Sequence, residues 1–301
     1  MKSDYLVSVI MTCHNGELYL KKALDSLLQQ TYSEWELIFY DNSSTDSSFK
    51  IIKNYNDSRI KYFKSNNLVN LGTVRKLAME KCKGSFVAFL DVDDYWSNDK
   101  LKRQIDTFKL NENIDIVYSN YNIVKNNQIK KIKKNLFKGK CQNEIIFSYV
   151  NGSPLTAWVT LMIRKSTINK LDYSFDSNLH ISSDFDLIIR LSEFCNFEGI
   201  EDYLGFYRIH NDNESKQFKK EIEELNYILF KYKNNKNLIK ILNKNYFADK
   251  IIIKNFLYKK IAQQPIEYLE LLTIYSYIFR IVYFIIKITP KFFLQFLIKH
   301  K

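Results

Sequence analysis

Proline and glycine are scarce, with three and seven copies in 301 residues. Such a chain is neither a flexible linker nor a low-complexity segment, and its 15% aromatic and 46% hydrophobic content points to a packed interior. Cysteine is scarce too. Cys13, Cys82, Cys141 and Cys195 lie far apart with no CxxC pair, which argues against a disulfide framework or a zinc site and fits a reducing compartment. A secretory leader is not expected: the apolar run Leu6 to Met11 is short and follows Asp4. No internal repeat is visible. The length suits one large α/β domain, or a catalytic domain with an appendage.

The net charge of +12 is unevenly placed. Residues 216–301 hold 17 Lys/Arg against 6 Asp/Glu, a net of +11, so residues 1–215 are nearly neutral at +1. The asymmetry suggests an anionic surface as partner, membrane or nucleic acid.

Along the first third, apolar runs alternate with helical patterns. "YLVSVIMTC" (5–13), "WELIFYD" (35–41), "RIKYFKS" (59–65) and "SFVAFL" (85–90) read as strands. Between them, 16–30, 44–55 and 74–82 carry apolar residues at helical spacing or helix-start residues. This alternation predicts a mostly parallel sheet covered on both faces, with ligands beyond the carboxyl ends of the strands. Three of the strands end in polar clusters, "TCHN" (12–15), "DNSSTD" (41–46) and "DVDD" (91–94), which a parallel sheet would bring to one rim. Further along, 114–124 and 156–166 read as strands, 182–194 as a helix opened by Ser and Asp, and 125–140, with seven lysines, as an exposed hairpin or loop.

The segment "FLDVDDYW" places Asp91, Asp93 and Asp94 within four residues at a strand end. Adjacent carboxylates repel, and burying them requires a proton, an Arg/Lys partner or a divalent cation. Mg²⁺ and Mn²⁺ take one or two protein carboxylates and complete their shells with phosphates and water. The cluster therefore suits a metal-diphosphate site, or else a solvated turn with helix-capping acids.

Four motifs in order decide how that cluster is read. "VSVIMTCHNGELYLKKALDSLLQQTYSEWELIFYDNSSTDSS", "NLGTVRKLAMEKCKGSFVAFLDVDDYW", "MIRKS…SSDFDLIIRL" and "GFYRIHNDNES" resemble the family 2 glycosyltransferases across roughly residues 6–215. The resemblance implies the nucleotide-sugar-dependent GT-A fold: an α/β, Rossmann-like architecture with a mixed, mostly parallel sheet flanked by helices. It implies a catalytic domain over 1–215, with a nucleotide-binding half of about 1–95 and an acceptor-binding half of about 96–215. A helical, basic C-terminal region over 216–301 would follow.

The same resemblance assigns roles. Asp93 would be the principal ligand of a divalent cation, Mn²⁺ or Mg²⁺, with Asp91 and Asp94 supporting the metal or the ribose. Thr12 and His14 would touch the nucleotide, His14 standing where many relatives carry an aromatic that stacks on the base. Asp41, Asn42 and Arg75 would read the base edge. Many relatives have Asp where Asn42 stands, and Asn42 keeps an acceptor for a pyrimidine N–H, so the donor would be a UDP or dTDP sugar. Asp184 would be the base that takes the acceptor hydroxyl's proton during inverting transfer. The acid that commonly precedes it is replaced by Ser183. His210 would reach the metal from a loop that closes over the diphosphate.

The tail 271–301 is intensely apolar and aromatic, but its longest uncharged run, 271–279, falls well short of the roughly 20 residues a membrane span requires. Thr273, Ser276, Arg280 and Lys287 fall on one stripe of a helix that Pro290 would break. Such a helix suits the interface of an anionic membrane, with packing on protein as the alternative. The expected enzyme is cytoplasmic and peripheral at the inner face of the cytoplasmic membrane. It would glycosylate a lipid-linked or cell-surface glycan, with nucleic acid not expected as a partner. A nucleotidyltransferase would need an early Gly-rich basic loop, which "TCHNGELYL" is not. A nucleic-acid-binding protein and a non-catalytic scaffold in a glycan assembly complex are the remaining alternatives. Sugar, acceptor and linkage depend on loops around 125–160 and 175–183.

Overall fold

Seven consecutive residues of β1 (Val7–Cys13) are buried, and so are all seven of β2 (Trp35–Asp41). Strands covered on both faces need apolar side chains pointing both ways, which is why they read as runs and not as alternations. The computed structural model describes residues 4–150, 156–210, 213 and 217–244. The elements in chain order are β1, α1 (Leu20–Leu28), β2, α2 (Ser48–Lys53), β3 (Ile60–Lys64), α3 (Leu71–Lys81), β4 (Phe86–Phe89), β5 (Tyr95–Trp96), α4 (Lys100–Leu110), β6 (Ile116–Lys125), β7 (Gln128–Ile132), β8 (Lys138–Gly139), α5 (Gln142–Val150), β9 (Met162–Arg164), α6 (Lys165–Ile168), α7 (Ser183–Ser192) and β10 (Phe197–Ile209). A second compact unit begins at Glu214 and contains α8 (Phe218–Lys231) and α9 (Lys236–Lys244). Ile222 and Ile228 of α8 and Leu238 and Leu242 of α9 are buried. The tail from 271 onward lies outside the described residues.

The sheet has the order β3-β2-β1-β4-β9-β6-β10-β5, with β7 added to β6 and β8 to β10. β1, β2, β3 and β4 are parallel neighbours. β9 runs antiparallel to both β4 and β6, so β6 and its parallel partner β10 point the same way as β1. The carboxyl ends of β1, β2, β4, β6 and β10 therefore share one rim. On one face Val9, Met11 and Phe39 pack with Leu24, Leu27, Leu101 and Ile105, from α1 and α4. On the other, Ile10 and Ile38 pack with Val74, Ala78, Ile145, Leu187 and Leu191, from α3, α5 and α7. The period-two split of β1 between these cores is the strand geometry itself.

Two expectations change in detail. The strand expected over 156–166 is only β9, because Trp158–Thr160 turns as a 3-10 helix. The Thr160 hydroxyl closes that turn on Ala157 O, and the Trp158 ring stacks on Phe89 with centroids 3.9 Å apart. The helix expected over 44–55 shortens to α2 because residues 44–47 bond to the loop after β1. The lysine-rich segment begins as a hairpin: β6 and β7 pair around Asn126 and Asn127, both with positive φ (50° and 62°). Asn tolerates that conformation, and two such residues favour a tight hairpin turn.

Gly72 sets the approach of α3 to the segment before α7. A Cβ there would lie 2.1 Å from Asp176 O and 2.6 Å from Leu179 O, both backbone atoms. The Gly72 N–H donates to Leu179 O, and the Leu71 N–H donates to His180 Nδ1. In a free helix Gly→Ala stabilises by about 1 kcal/mol. Here Gly72→Ala is expected to destabilise by about 1–3 kcal/mol through overpacking, read as a lower midpoint in thermal or urea unfolding; a stabilised variant would contradict the close approach.

Candidate active site

The rim is built first from the loops after β1 and β2, which are laced together. Asn42 N–H donates to Cys13 O, Asn15 N–H to Ser44 Oγ, Gly16 N–H to Ser48 Oγ, and Glu17 N–H to Asp46 Oδ2. Thr12 is buried beside Tyr40 in this register. His14 is exposed at the edge, its Nδ1–H donating to Asn42 O at 3.0 Å, which leaves its ring accessible from the rim. Asp41 has no exposed surface: it accepts the Ser44 N–H and the Tyr62 hydroxyl. Asn42 closes both ends of its amide on the Val69 backbone, donating to Val69 O and accepting Val69 N–H.

After β4 the chain turns through Asp91–Asp94, with Asp94 N–H donating to Asp91 O. Asp94 is 3% exposed and accepts the backbone N–H of Arg208 at 2.9 Å. Arg208 Nε donates to Asp93 O, and its guanidinium lies over the Tyr19 and Tyr95 rings at 4.9 and 5.5 Å. The end of β10 is thereby fastened to the acidic turn. That fastening brings His210 Nε2–H to Asp93 Oδ2 at 2.9 Å, with the imidazole against Tyr19 at 4.8 Å. Asn213 completes the arrangement: its Nδ2 donates to Asp93 Oδ2 and to Arg208 O, and its Oδ1 accepts the His210 N–H.

Arg75 of α3 links this turn to the start of α7. It is 4% exposed; Nη1 donates to Ser183 Oγ at 2.9 Å, Nη2 reaches Asp91 Oδ1 at 3.4 Å, and the guanidinium lies 4.5 Å over the Trp158 ring. Burial raises the Asp91 carboxyl to about 6; Arg75 pulls it back while Asp93 and Asp184 push it up. The side chain is still 35% exposed, so water moderates that rise. Burial also raises Asp184, opposed by the Arg75 charge and by the Phe185 N–H on its Oδ1. Asp94 is pushed well above the usual carboxylate range, by burial first and then by Asp93 and Asp91.

Sequence comparison places the chain in a family. The family described as Glycosyl transferase family 2 matches residues 8–171. The uncharacterized glycosyltransferase MJ1057 of Methanocaldococcus jannaschii is 31% identical over 305 aligned residues, covering 98% of this chain and 93% of that protein. The chain belongs to glycosyl transferase family 2. The Escherichia coli UDP-Glc:alpha-D-GlcNAc-diphosphoundecaprenol beta-1,3-glucosyltransferase WfgD is 41% identical over 127 residues, 42% of this chain. The match spans about half (49%) of WfgD's own length. S. aureus TarS 1–349, solved in complex with UDP, superposes with a TM-score of 0.58 at 21% identity over 73% of this chain and 65% of that one. The GT-A architecture expected from the motifs is the one observed.

Within this family 2 fold, Asp91, Asp93, Asp94 and His210 gather at one turn, and Asp184 shares Arg75 with Asp91. Several of the expected site residues have partners inside the fold. Arg75 meets the acidic turn and Ser183, and α3 is held against the 176–180 segment through Gly72. Asp94 fastens β10, which leaves Asp91 and Asp93 as the accessible acids. Asp41 and Asn42 brace the rim loops internally. Sequence reasoning missed Asn213, Tyr19 and Trp158. Asn213 lies inside the "HNDNES" motif, but only the fold shows which of its polar residues turns back.

Among the described residues no three His, Cys, Asp or Glu side chains form a ready-made metal cage. Asp93 Oδ2 and His210 Nε2 do converge; the carboxylate suits Mn²⁺ or Mg²⁺ completed by phosphates and water, and the imidazole would join it as a ligand only on giving up its Nε2 proton. The local charge agrees: among the described residues Arg75 is the cation acting on Asp91 and Asp184, and Arg208, lying over aromatic rings, acts on Asp94.

The raised Asp91 carboxyl has a signed consequence for the metal-free protein. Between about 4 and 6 the folded state keeps a proton that the unfolded chain has released, so this group's contribution to stability falls as pH rises through that window. Relative to wild type, Asp91→Asn should therefore gain stability from pH 4 to pH 7, by about 1–2 kcal/mol after allowing for solvent screening. Denaturant titrations at both pH values, in chelator, check it; a pH-independent difference would show that Asp91 is ordinarily solvated.

Proposed function

We propose that this chain is an inverting, metal-dependent glycosyltransferase. It moves a sugar from a UDP- or dTDP-type donor to a hydroxyl of a lipid-linked or cell-surface glycan acceptor. The observation that carries the reading is the buried Arg75, whose guanidinium meets both the acidic turn and the first turn of α7. Its charge acts on both Asp91 and Asp184, which come from distant segments. A diphosphate at the turn and an acceptor at Asp184 would then face one another.

In this reading the donor's nucleotide lies along the rim at Thr12 and His14, and Asp93 and His210 hold a divalent cation. That cation supplies counter-charge to the departing diphosphate. Asp184 takes the proton of the acceptor hydroxyl as its oxygen attacks the anomeric carbon; the bond to the diphosphate oxygen breaks on the opposite face, and configuration inverts. Arg75 keeps Asp184 ionised enough to act as base. Ser183 suits this role, since a hydroxyl orients the guanidinium without neutralising it. The UDP donor is supported by the UDP named for TarS and the UDP-Glc named for WfgD; the lipid-diphosphate acceptor is supported by WfgD's name. Among the described residues no helix is long and apolar enough to cross a membrane. Residence at the inner face of the cytoplasmic membrane is proposed to depend on the basic C-terminal region.

A panel of nucleotide sugars with Mn²⁺, followed by donor hydrolysis or transfer, tests the reading. Asp184→Asn and Asp93→Ala are each expected to lower transfer by about a hundredfold or more; wild-type rates in both variants, with an identified acceptor, would remove the assigned roles. Because Arg75 lowers the Asp184 pKa, the acid limb of the transfer pH profile should move upward in Arg75→Met. An unmoved limb would mean that Arg75 does not act on the base.

A further inference from the structure

The strand register sets a charged hairpin at the rim of the site. Tyr95, which follows the acidic turn, pairs with Phe206 of β10, and Phe206 pairs with Asn122 of β6, so those three residues are level. Lys125, at the turn of the β6–β7 hairpin, follows Asn122 by three positions. Arg208 pairs with Val124 and Ile209 with Lys125, while the Arg208 N–H reaches Asp94 and the next residue, His210, reaches Asp93. The hairpin turn therefore lies beside the acidic turn, across β10.

Residues 125–140 carry seven lysines and no acid. Lys138 pairs with Glu198, and Lys131 and Lys134 lie over the Tyr203 and Tyr121 rings. Lys125, Lys130, Lys133 and Lys140 are exposed, and none forms an ion pair with a described residue. Ile129 lies among them, 59% exposed. Lysine on an edge strand guards against strand pairing, but that purpose is met by one or two charges. It accounts neither for a run continuing beyond β7 nor for an outward isoleucine. Strung along the hairpin and the segment after it, these cations are flexible point charges and not one converging cluster. Charges spread in this way match an extended anionic plane.

We infer that the β6–β7 hairpin and the lysines following it dock the catalytic unit on an anionic phospholipid surface, with Ile129 entering the headgroup layer. The inference rests on the reading of the acceptor as membrane-held, since it turns the rim of the site toward the layer in which such an acceptor would sit. It is independent of the C-terminal region.

The test uses the full chain and a variant with Lys125→Gln, Lys130→Gln, Lys133→Gln and Lys140→Gln. Partition is measured onto vesicles of phosphatidylcholine containing phosphatidylglycerol and onto phosphatidylcholine alone. The C-terminal region is common to both proteins, so the difference reports the hairpin. Partition onto the anionic vesicles should fall about tenfold or more, with the gap narrowing as salt is raised. The same four positions changed to Arg should keep wild-type partition, and Ile129→Ser should weaken it. Equal partition of the Gln variant and wild type overturns the inference. So does a loss of duplex-DNA binding with vesicle binding intact, which would make nucleic acid the partner. Donor hydrolysis without vesicles is measured in parallel: its absence from both proteins would count against the transferase reading alone, leaving the vesicle comparison standing.

Discussion

Three carboxylates in one tight turn cannot share a partly buried site without countercharge, and much of the catalytic unit is arranged around that constraint. Each acid meets it differently. Asp94 gives up solvent for the backbone N–H of Arg208, Asp91 faces the Arg75 guanidinium, and Asp93 is held by His210 and Asn213. These three solutions draw in three distant segments: the end of β10, the middle of α3 and, through Arg75, the start of α7. The electrostatic problem posed by residues 91–94 thus brings together segments far apart in the chain.

The sheet was legible because its physics is local. β1 and β2 are buried on both faces and so had to be apolar runs, and the polar residues closing them had to lie at the strand ends. A parallel arrangement then implied a shared rim. β9 was over-read because the apolar stretch before it is occupied by Trp158, which stacks on Phe89 instead of extending the ladder. The hairpin after β6 could be suspected from its lysines, but its place beside the acidic turn follows from pairings that no local pattern encodes.

The site was legible where chemistry is distinctive and obscure where geometry decides. Asp93 and Asp184 stand out by residue type, position and family resemblance. Arg75 was also noticed, but its partners in the fold were not: the helix that carries it is aimed by the contact of Gly72 with Asp176 and Leu179, a hundred residues away. Asn213 lies in a motif that does not single it out. Its amide is suited to satisfying a carboxylate and an N–H at once, and only the folded chain shows that both are within reach. Ser183, a departure from the common pattern, acquires a reason in the folded chain as the acceptor of an arginine otherwise directed at acids.

The insertion of β10 between β6 and β5 bears on when the site comes into being. Tyr95 and Trp96 pair with Phe206 and Gly205, so the acidic turn cannot be fastened until the chain has been made past residue 208. The four parallel strands at the other end close among themselves within the first ninety residues. Contacts of such long sequence separation form late, because loop closure precedes any gain from them. During synthesis the loops after β1 and β2 can therefore be laced together while the acidic turn is still an unneutralised loop. The two halves of the rim are made at different times, and the charge at residues 91–94 waits for its partners until the last strand is added.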